Sequence, residues 1–170
     1  MQEIYVEPIA KVLQNRRLLE KELKVKIDNR GKNVFVDGTA DNEFIAIEVL
    51  KALDLEFSVP TALLLEKEEY ILQEVHIKNL TRRKNLKEVR ARIIGTKGKA
   101  LSTMHHLTEC HFSLKENTVG IIGDVEQMPD AIQAVTSIVQ GGRHGNVYSR
   151  LEKEKKKKGL YKKLSVKSNK

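Results

Sequence analysis

The stretch Arg92-Ile93-Ile94-Gly95-Thr96-Lys97-Gly98-Lys99 places two glycines three residues apart between two segments of helical periodicity. Apolar residues recur at helical spacing over 86–93 and again over 101–107. Glycine lets a ligand backbone approach because no Cβ intervenes, and the following helix directs free N–H groups at the loop. The stretch therefore predicts a helix, loop and helix unit that can hold a sugar-phosphate chain.

Two other glycine pairs share this spacing, but neither lies between two helices. Gly120 and Gly123 fall within a β-branched run that predicts a strand, where a loop would destroy the ladder. Gly142 and Gly145 follow a predicted helix and are typical of its C-terminal cap and turn. Only the 95–98 pair has the required context.

The segments around the loop predict an α+β fold. Residues 70–77 form an apolar run typical of a strand, and 110–122 alternate and turn like a hairpin. Asp124 is a candidate cap for a helix over 131–138, which Gly141-Gly142 would end. The order is strand, helix, loop, helix, strand, strand, helix, and it predicts a three-stranded sheet with helices on one face.

An internal repeat extends this pattern to the rest of the chain. A shift of 85 residues superimposes two apolar patterns without gaps. Aligned pairs include Val25 with Cys110, Val34 with Val119, Val36 with Ile121, Gly38 with Gly123 and Ala46 with Ala131. We predict a first domain over 1–60, a second over 70–150 that carries the loop, and a basic tail over 151–170. The tail is either disordered or a helical extension.

The net charge of +8 is concentrated in two short blocks. Residues 78–99 hold nine Lys/Arg against one acid, and 150–170 hold ten against two, whereas 1–77 hold ten against fifteen. Clustered cations are the footprint of a partner rich in phosphate. The predicted RNA-binding residues are Ile93, Ile94, Gly95, Thr96, Lys97, Gly98, Lys99, Lys87, Arg90, Arg92, Arg82, Arg83 and Lys84. The two isoleucines are assigned to the apolar floor under the bases, and the cations to the phosphates.

Composition excludes several other classes of protein. The single cysteine, Cys110, cannot form an intramolecular disulfide, and no stretch approaches the length of a membrane helix. We therefore predict a cytoplasmic protein with no membrane partner and no cofactor. Four Phe, four Tyr and no Trp argue against a sheet that stacks bases on aromatic clusters.

Two clusters of chemically active side chains are discounted. His106 and Cys110 have the spacing of two metal ligands on a helix, with His105 and His111 nearby, but CxxC and HxxxH spacings are absent. We predict no metal site and histidines that face outward. Asp124 and Glu126 are explained as a cap and a first-turn acid, and Ser102 has no adjacent base, so no enzyme is predicted.

Three segments of the second half resemble the partner-of-Nob group of KH-domain proteins that process pre-rRNA in archaea and eukaryotes. They are the loop segment 92–99, the hairpin end 118–123, and His144-Gly145-Asn146-Val147-Tyr148-Ser149-Arg150-Leu151-Glu152. The resemblance implies tandem type I KH domains that bind near the 3′ end of small-subunit rRNA during ribosome biogenesis. It also implies partnership with the Nob-type endonuclease and with the alpha subunit of initiation factor two.

The first half departs from the family pattern because no glycine precedes Gly31. The ungapped repeat places Ala10-Lys11-Val12-Leu13 at the loop position, and a gapped alignment places Gln14-Asn15-Arg16-Arg17 there. Neither can clamp a backbone closely, so we predict a degenerate first KH domain that packs on the second or binds protein. Two other functions stay open: an adaptor that recruits a protein to the ribosome, and a general KH regulator of mRNA.

Overall fold

The structure is a computed structural model that describes residues 1–168, with two three-stranded antiparallel sheets and the helices that cover them. In chain order the elements are β1 (Gln2–Tyr5), α1 (Ile9–Gln14), α2 (Arg16–Leu23), β2 (Lys26–Arg30), β3 (Asn33–Asp37), α3 (Ala40–Asp54), α4 (Val59–Ala62), a 3-10 turn (Leu63–Glu66), β4 (Tyr70–His76), α5 (Ile77–Leu80), α6 (Leu86–Ile94), a 3-10 turn (Thr96–Gly98), α7 (Lys99–Thr108), β5 (His111–Lys115), β6 (Thr118–Asp124), α8 (Met128–Val139) and α9 (His144–Ser168). The predicted α+β fold with three-stranded sheets is confirmed. We call residues 1–66 the first half and residues 70–168 the second half.

The two halves share one strand order, β1-β3-β2 in the first sheet and β4-β6-β5 in the second. The hairpin strands β2 and β5 begin and end 85 residues apart, as the repeat predicts. A packing detail recurs with the same offset. A Cβ on Gly38 would lie 2.9 Å from Val25, and one on Gly123 would overlap Cys110. Each glycine therefore lets the strand before it in the hairpin come close.

The second sheet lies between its own helices and the first half. Alternate side chains of a strand point to opposite faces, so Ile121 packs under α6 and α8 while Ile122 joins the core of the first half. Phe57 and Leu55 cover Gly120, and the Ser113 hydroxyl donates to the Leu55 carbonyl oxygen over 2.6 Å. The halves are thus in direct contact through β5 and β6.

Helix α8 begins later than the sequence predicts. Its N-cap is Gln127, whereas the Asp124 carboxylate accepts a hydrogen bond from the backbone N–H of Glu126 in the preceding turn. The assignment of Asp124 as helix cap and of Glu126 as first-turn acid is therefore wrong. Pro129 explains the shift, because proline is favoured in the first turn of a helix, where its missing N–H is not needed.

The C-terminal segment is helical, which is one of the two predicted alternatives for the tail. Helix α9 runs without a break from His144 to Ser168, and Leu151 at the predicted start of the tail is buried in the second core. The Lys158 ammonium donates to the Asp130 carboxylate over 2.7 Å and holds α9 to the start of α8. Residues 169–170, including the predicted tail residue Lys170, lie outside the described residues. No helix between residues 1 and 168 is long and apolar enough to cross a membrane.

Candidate nucleic-acid interface

The glycine loop joins α6 to α7 through three residues with positive φ. Gly95 has φ 75° and ψ 173°, Lys97 has φ 54°, and Gly98 has φ 74°. A Cβ on Gly95 would lie 2.7 Å from the backbone nitrogen of Ala100, whereas one on Gly98 would meet nothing within 4 Å. Gly95 is therefore needed for close packing of the two helices, and Gly98 presents a bare backbone to solvent.

The N-terminus of α7 opens onto this bare backbone. Gly98 is its N-cap, and no side chain accepts a hydrogen bond from the first N–H groups of the helix. These groups and the helix dipole form a site that favours an anion. Thr96, Lys97 and Lys99 are exposed beside it, so the arrangement suits a phosphate.

The two isoleucines before the loop differ in accessibility. Ile93 is completely buried in the core of the second half, while Ile94 is 37% exposed. Successive helical residues point about 100° apart, so only one of the pair can face solvent here. The prediction that Ile93 forms part of an exposed floor is wrong, and Ile94 alone is available to a ligand.

Arg92 has a structural role that the sequence does not reveal. Its guanidinium donates to the carbonyl oxygens of Ile138 and Gly142 at the C-terminus of α8. The Arg92 carbonyl in turn accepts a hydrogen bond of 2.7 Å from the His144 ring at the start of α9. These two hydrogen bonds direct the guanidinium toward the helix ends that hold the loop, so we assign Arg92 a structural role in place of the predicted steering of phosphates.

Replacing Arg92 with methionine is expected to lower the free energy of unfolding by about 1–3 kcal/mol, because two carbonyl groups lose a charged donor. Urea denaturation followed by circular dichroism measures the change. Arg82→Met is the matched control, since Arg82 is exposed and makes no side-chain hydrogen bond among the described residues. Equal stability of the two variants would contradict the assigned role of Arg92.

The other predicted cations occupy two positions. The Arg90 guanidinium donates to the Asn117 side chain in the β5–β6 turn, which leaves it half-buried. Arg82, Arg83, Lys84 and Lys87 precede α6 or lie in its first turn and are exposed. Because α6 rises about 1.5 Å per residue, Lys87 lies roughly 10 Å along the axis from the loop. Of the predicted polar residues, Thr96, Lys97 and Lys99 lie at the loop itself. The other exposed cations lie at the far end of α6.

A cleft of about 340 Å³ lies beside the first turns of α7. We call it the α7–β5 cleft, and its second-half lining consists of Leu101, Ser102, His105, His111, Phe112 and Ser113. Sequence reasoning missed it as a site. The i, i+4 spacing of Leu101 and His105 was the available signal, but the facing strand is known only from the fold.

Two histidine rings of the cleft lie close to each other. His105 shares a hydrogen bond of 2.8 Å with the Cys110 carbonyl oxygen, and its ring centre lies 4.7 Å from that of His111. Burial, and to a lesser extent the nearby His105, lowers the pKa of His111, so this ring is neutral at pH 7. Neutral rings suit the faces and edges of bases better than phosphates.

The discounted metal cluster lies at the C-terminal end of α7. His106 is exposed, and its carbonyl oxygen accepts a hydrogen bond from Lys155 of α9. Cys110 is fully buried, and burial raises the pKa of its thiol to about 11. Within residues 1–168 no group of three or more His, Cys, Asp or Glu side chains could hold a metal ion.

Comparison with protein families matches residues 71–156 to the second KH domain of PNO1 proteins, described as a eukaryotic-type, or type I, KH domain. The match spans β4 through the first half of α9 and includes the glycine loop. The chain belongs to the type I KH-domain family. Its resemblance to the partner-of-Nob group is thereby confirmed, and we refer to β4–α9 below as the KH domain.

Relatives that match over more of the chain extend the likeness beyond the KH domain. A KH domain-containing protein of Methanocaldococcus jannaschii is 30% identical over 149 residues, which cover 84% of this chain and 66% of the relative, just under two thirds. A crystal structure of a protein of unknown function from Aeropyrum pernix superimposes with a TM-score of 0.88 at 26% identity, over 99% of this chain and 97% of that one. A chain of the a/eIF2alpha-aDim2p-rRNA complex from Pyrococcus horikoshii gives 0.81 at 29% identity, over 92% and 95%.

Proposed function

We propose that this protein binds single-stranded rRNA near the 3′ end of the small ribosomal subunit during biogenesis, through the glycine loop of the KH domain. The observation that carries the proposal is the bare Gly98 backbone at the uncapped N-terminus of α7, flanked by Lys97 and Lys99. The similarity to a chain of the a/eIF2alpha-aDim2p-rRNA complex supports the choice of ligand. The reaction is binding alone, and no catalytic step is proposed.

The geometry divides the ligand into two parts. A phosphate lies against the first N–H groups of α7 between the two loop lysines, and the adjoining bases lie in the α7–β5 cleft beside Ile94. The exposed cations before α6 and in its first turn contact phosphates further along the strand. The proposed RNA-binding residues are therefore Ile94, Gly95, Thr96, Lys97, Gly98, Lys99, Lys87, Arg82, Arg83 and Lys84.

We propose that the first half is a degenerate KH domain over residues 1–60, followed by the KH domain over 70–150. Its sheet has the same strand order, but its α1–α2 junction has neither glycine nor positive φ, since Asn15 has φ −111°. This junction falls at the gapped alignment position, not within α1 where the ungapped repeat placed it. The Arg16 guanidinium is paired with Glu20 and Asp28, which supports a structural role there.

The proposed partners are small-subunit rRNA, the alpha subunit of initiation factor two and the Nob-type endonuclease. The similarity to a chain of the a/eIF2alpha-aDim2p-rRNA complex supports the first two. The endonuclease rests on the family resemblance. We place this assembly in the cytoplasm.

Fluorescence anisotropy with labelled RNA tests the proposal. The full chain is titrated into a single-stranded oligomer that copies the 3′ end of small-subunit rRNA, and into the same oligomer annealed to its complement. We expect preference for the single strand. If all six exposed cations contact phosphates, affinity falls roughly 300-fold between 50 and 200 mM salt. Equal affinity for the duplex, or no dependence on salt, would contradict the proposal.

A second candidate function is that of an adaptor in which RNA contact is secondary. The observation in its favour is that the acidic first half exposes Phe44 (68%) and Tyr5 (56%), which suits a protein partner. Affinity capture of the tagged chain with and without RNase separates the two functions. An adaptor retains its protein partner after RNase treatment, whereas an RNA-binding assembly factor loses partners that are held through RNA.

A further inference from the structure

The α7–β5 cleft has a wall that the KH domain does not supply. Glu56, Phe57, Ser58 and Thr61 of the first half close the side opposite α7. These residues follow α3 and begin α4, about 40 residues along the chain from the α1–α2 junction that lacks a glycine loop. The half without a loop of its own thus lines the groove beside the loop of the other half.

This wall is fixed to the strand that forms the floor of the cleft. Besides the bond from Ser113 to Leu55, the Lys115 ammonium donates to the Asp54 carbonyl oxygen over 2.9 Å. Lys11 donates to the Phe57 carbonyl oxygen over 3.0 Å, and the Phe57 ring packs on Gly120. Residues on either side of Glu56 are therefore held, which gives the wall a defined position relative to β5.

The wall offers a ligand one carboxylate, that of Glu56, and one hydroxyl donor, that of Thr61. Glu56 is exposed, and its carboxylate has no hydrogen bond or ion pair with the described residues. The Thr61 hydroxyl accepts from Ser58, which leaves its own hydrogen free to donate. A carboxylate repels phosphate but accepts hydrogen bonds from the amino groups of bases, as acidic residues do from cytosine N4.

The cleft and loop together define an orientation for the RNA. The α7 side of the cleft begins at Leu101, two residues after Lys99 of the loop, and the wall from the first half carries Glu56. Phosphates are favoured beside the loop lysines and disfavoured beside Glu56. An RNA strand in the cleft therefore turns its base edges toward the first half. We propose that Glu56 of the first half reads a base in the cleft, favouring an amino-bearing base such as cytosine over uracil. This inference rests on the proposed function.

Cytosine and uracil make the sharpest comparison because they have nearly the same shape. Cytosine presents an N4 amino donor at the position where uracil presents an O4 acceptor. The uracil O4 and the Glu56 carboxylate are both acceptors, so they cannot form a hydrogen bond with each other. Discrimination by one such contact is expected to be about fivefold or more. Amide or glycine at position 56 removes the charge, so the ratio of the two affinities should fall toward one.

The experiment uses the full chain and single-stranded RNA octamers that differ by one cytosine-to-uracil change at each position in turn. Glu56→Gln is the test variant. Glu56→Gly is the second, and its folding is secure because Glu56 has φ 71° at the end of α3, where glycine is favoured. Glu109→Gln is the matched control, since Glu109 has φ 61° at the end of α7 but lies outside the cleft.

Support requires that wild type and Glu109→Gln prefer cytosine at one position while both Glu56 variants lose that preference. Unchanged preference in both Glu56 variants would overturn the inference and leave the proposed function standing, provided that wild type still binds single strands. Absence of any cytosine preference in wild type would overturn it as well. If wild type binds no RNA, the proposed function fails and the inference fails with it.

Discussion

Replacing Gly98 with aspartate is expected to weaken RNA binding at least about 100-fold while the chain stays folded. The new carboxylate would lie at the N-terminus of α7, where the phosphate is proposed to bind. Two anions about 4 Å apart repel each other by roughly 1–4 kcal/mol, and the carboxylate also occupies the N–H groups of the helix. Fluorescence anisotropy with the rRNA oligomer measures the loss.

We expect this variant to fold. Aspartate tolerates left-handed backbone better than most residues, so φ 74° costs about 1 kcal/mol, and its Cβ would meet nothing within 4 Å. Gly98→Asn is the matched control, because asparagine has the same shape and no charge. We expect it to retain much more affinity than Gly98→Asp. Equal loss in the two variants would show that bulk, not charge, is excluded at this position.

Gly95→Ala is expected to lower the free energy of unfolding by about 3 kcal/mol. Backbone at φ 75° and ψ 173° is accessible almost only to glycine, which contributes about 1–3 kcal/mol. The added Cβ would also lie 2.7 Å from the Ala100 nitrogen, and overpacking of this kind contributes about as much. The midpoint of urea denaturation reports the change.

Gly98→Ala is the control for this second prediction. It has a similar positive φ, but the space around it is open, so only the cost of left-handed backbone, about 1 kcal/mol, applies. A Gly95→Ala variant no less stable than Gly98→Ala would mean that α6 and α7 separate easily. Substitution of Gly95 is thus expected to lower the stability of the fold, and substitution of Gly98 by aspartate is expected to lower the affinity for RNA.

Local pattern predicted most of the KH domain. The strand at 70–76, the helices beside the loop and the hairpin follow from periodicity and glycine placement, which act over a few residues. The predicted start of α8 was wrong because two local signals in the sequence compete. Asp124 resembles a cap, but Pro129 favours a helix that begins at Met128, three residues later than a cap at Asp124 would place it.

The site was harder to predict because its residues depend on contacts between distant segments. Arg92 looks like any exposed cation in a basic block until its partners Ile138 and Gly142, about fifty residues away, are known. Ile93 and Ile94 are equivalent as letters, and only the packing of α6 separates them. The wall of the α7–β5 cleft that contains Glu56 could not be predicted, because no sequence pattern indicates which face of the second sheet the first half covers.

The contact between Gly120 and Phe57 also bears on how such a chain can diverge. A Cβ at position 120 would lie 2.8 Å from the Phe57 ring, so a larger residue there becomes acceptable only after position 57 has shrunk. In the evolution of such a chain, a smaller residue at position 57 must therefore precede a larger residue at position 120. The side-chain hydrogen bonds of the α1–α2 junction stay within the first half, so the sequence of this junction is not subject to that constraint.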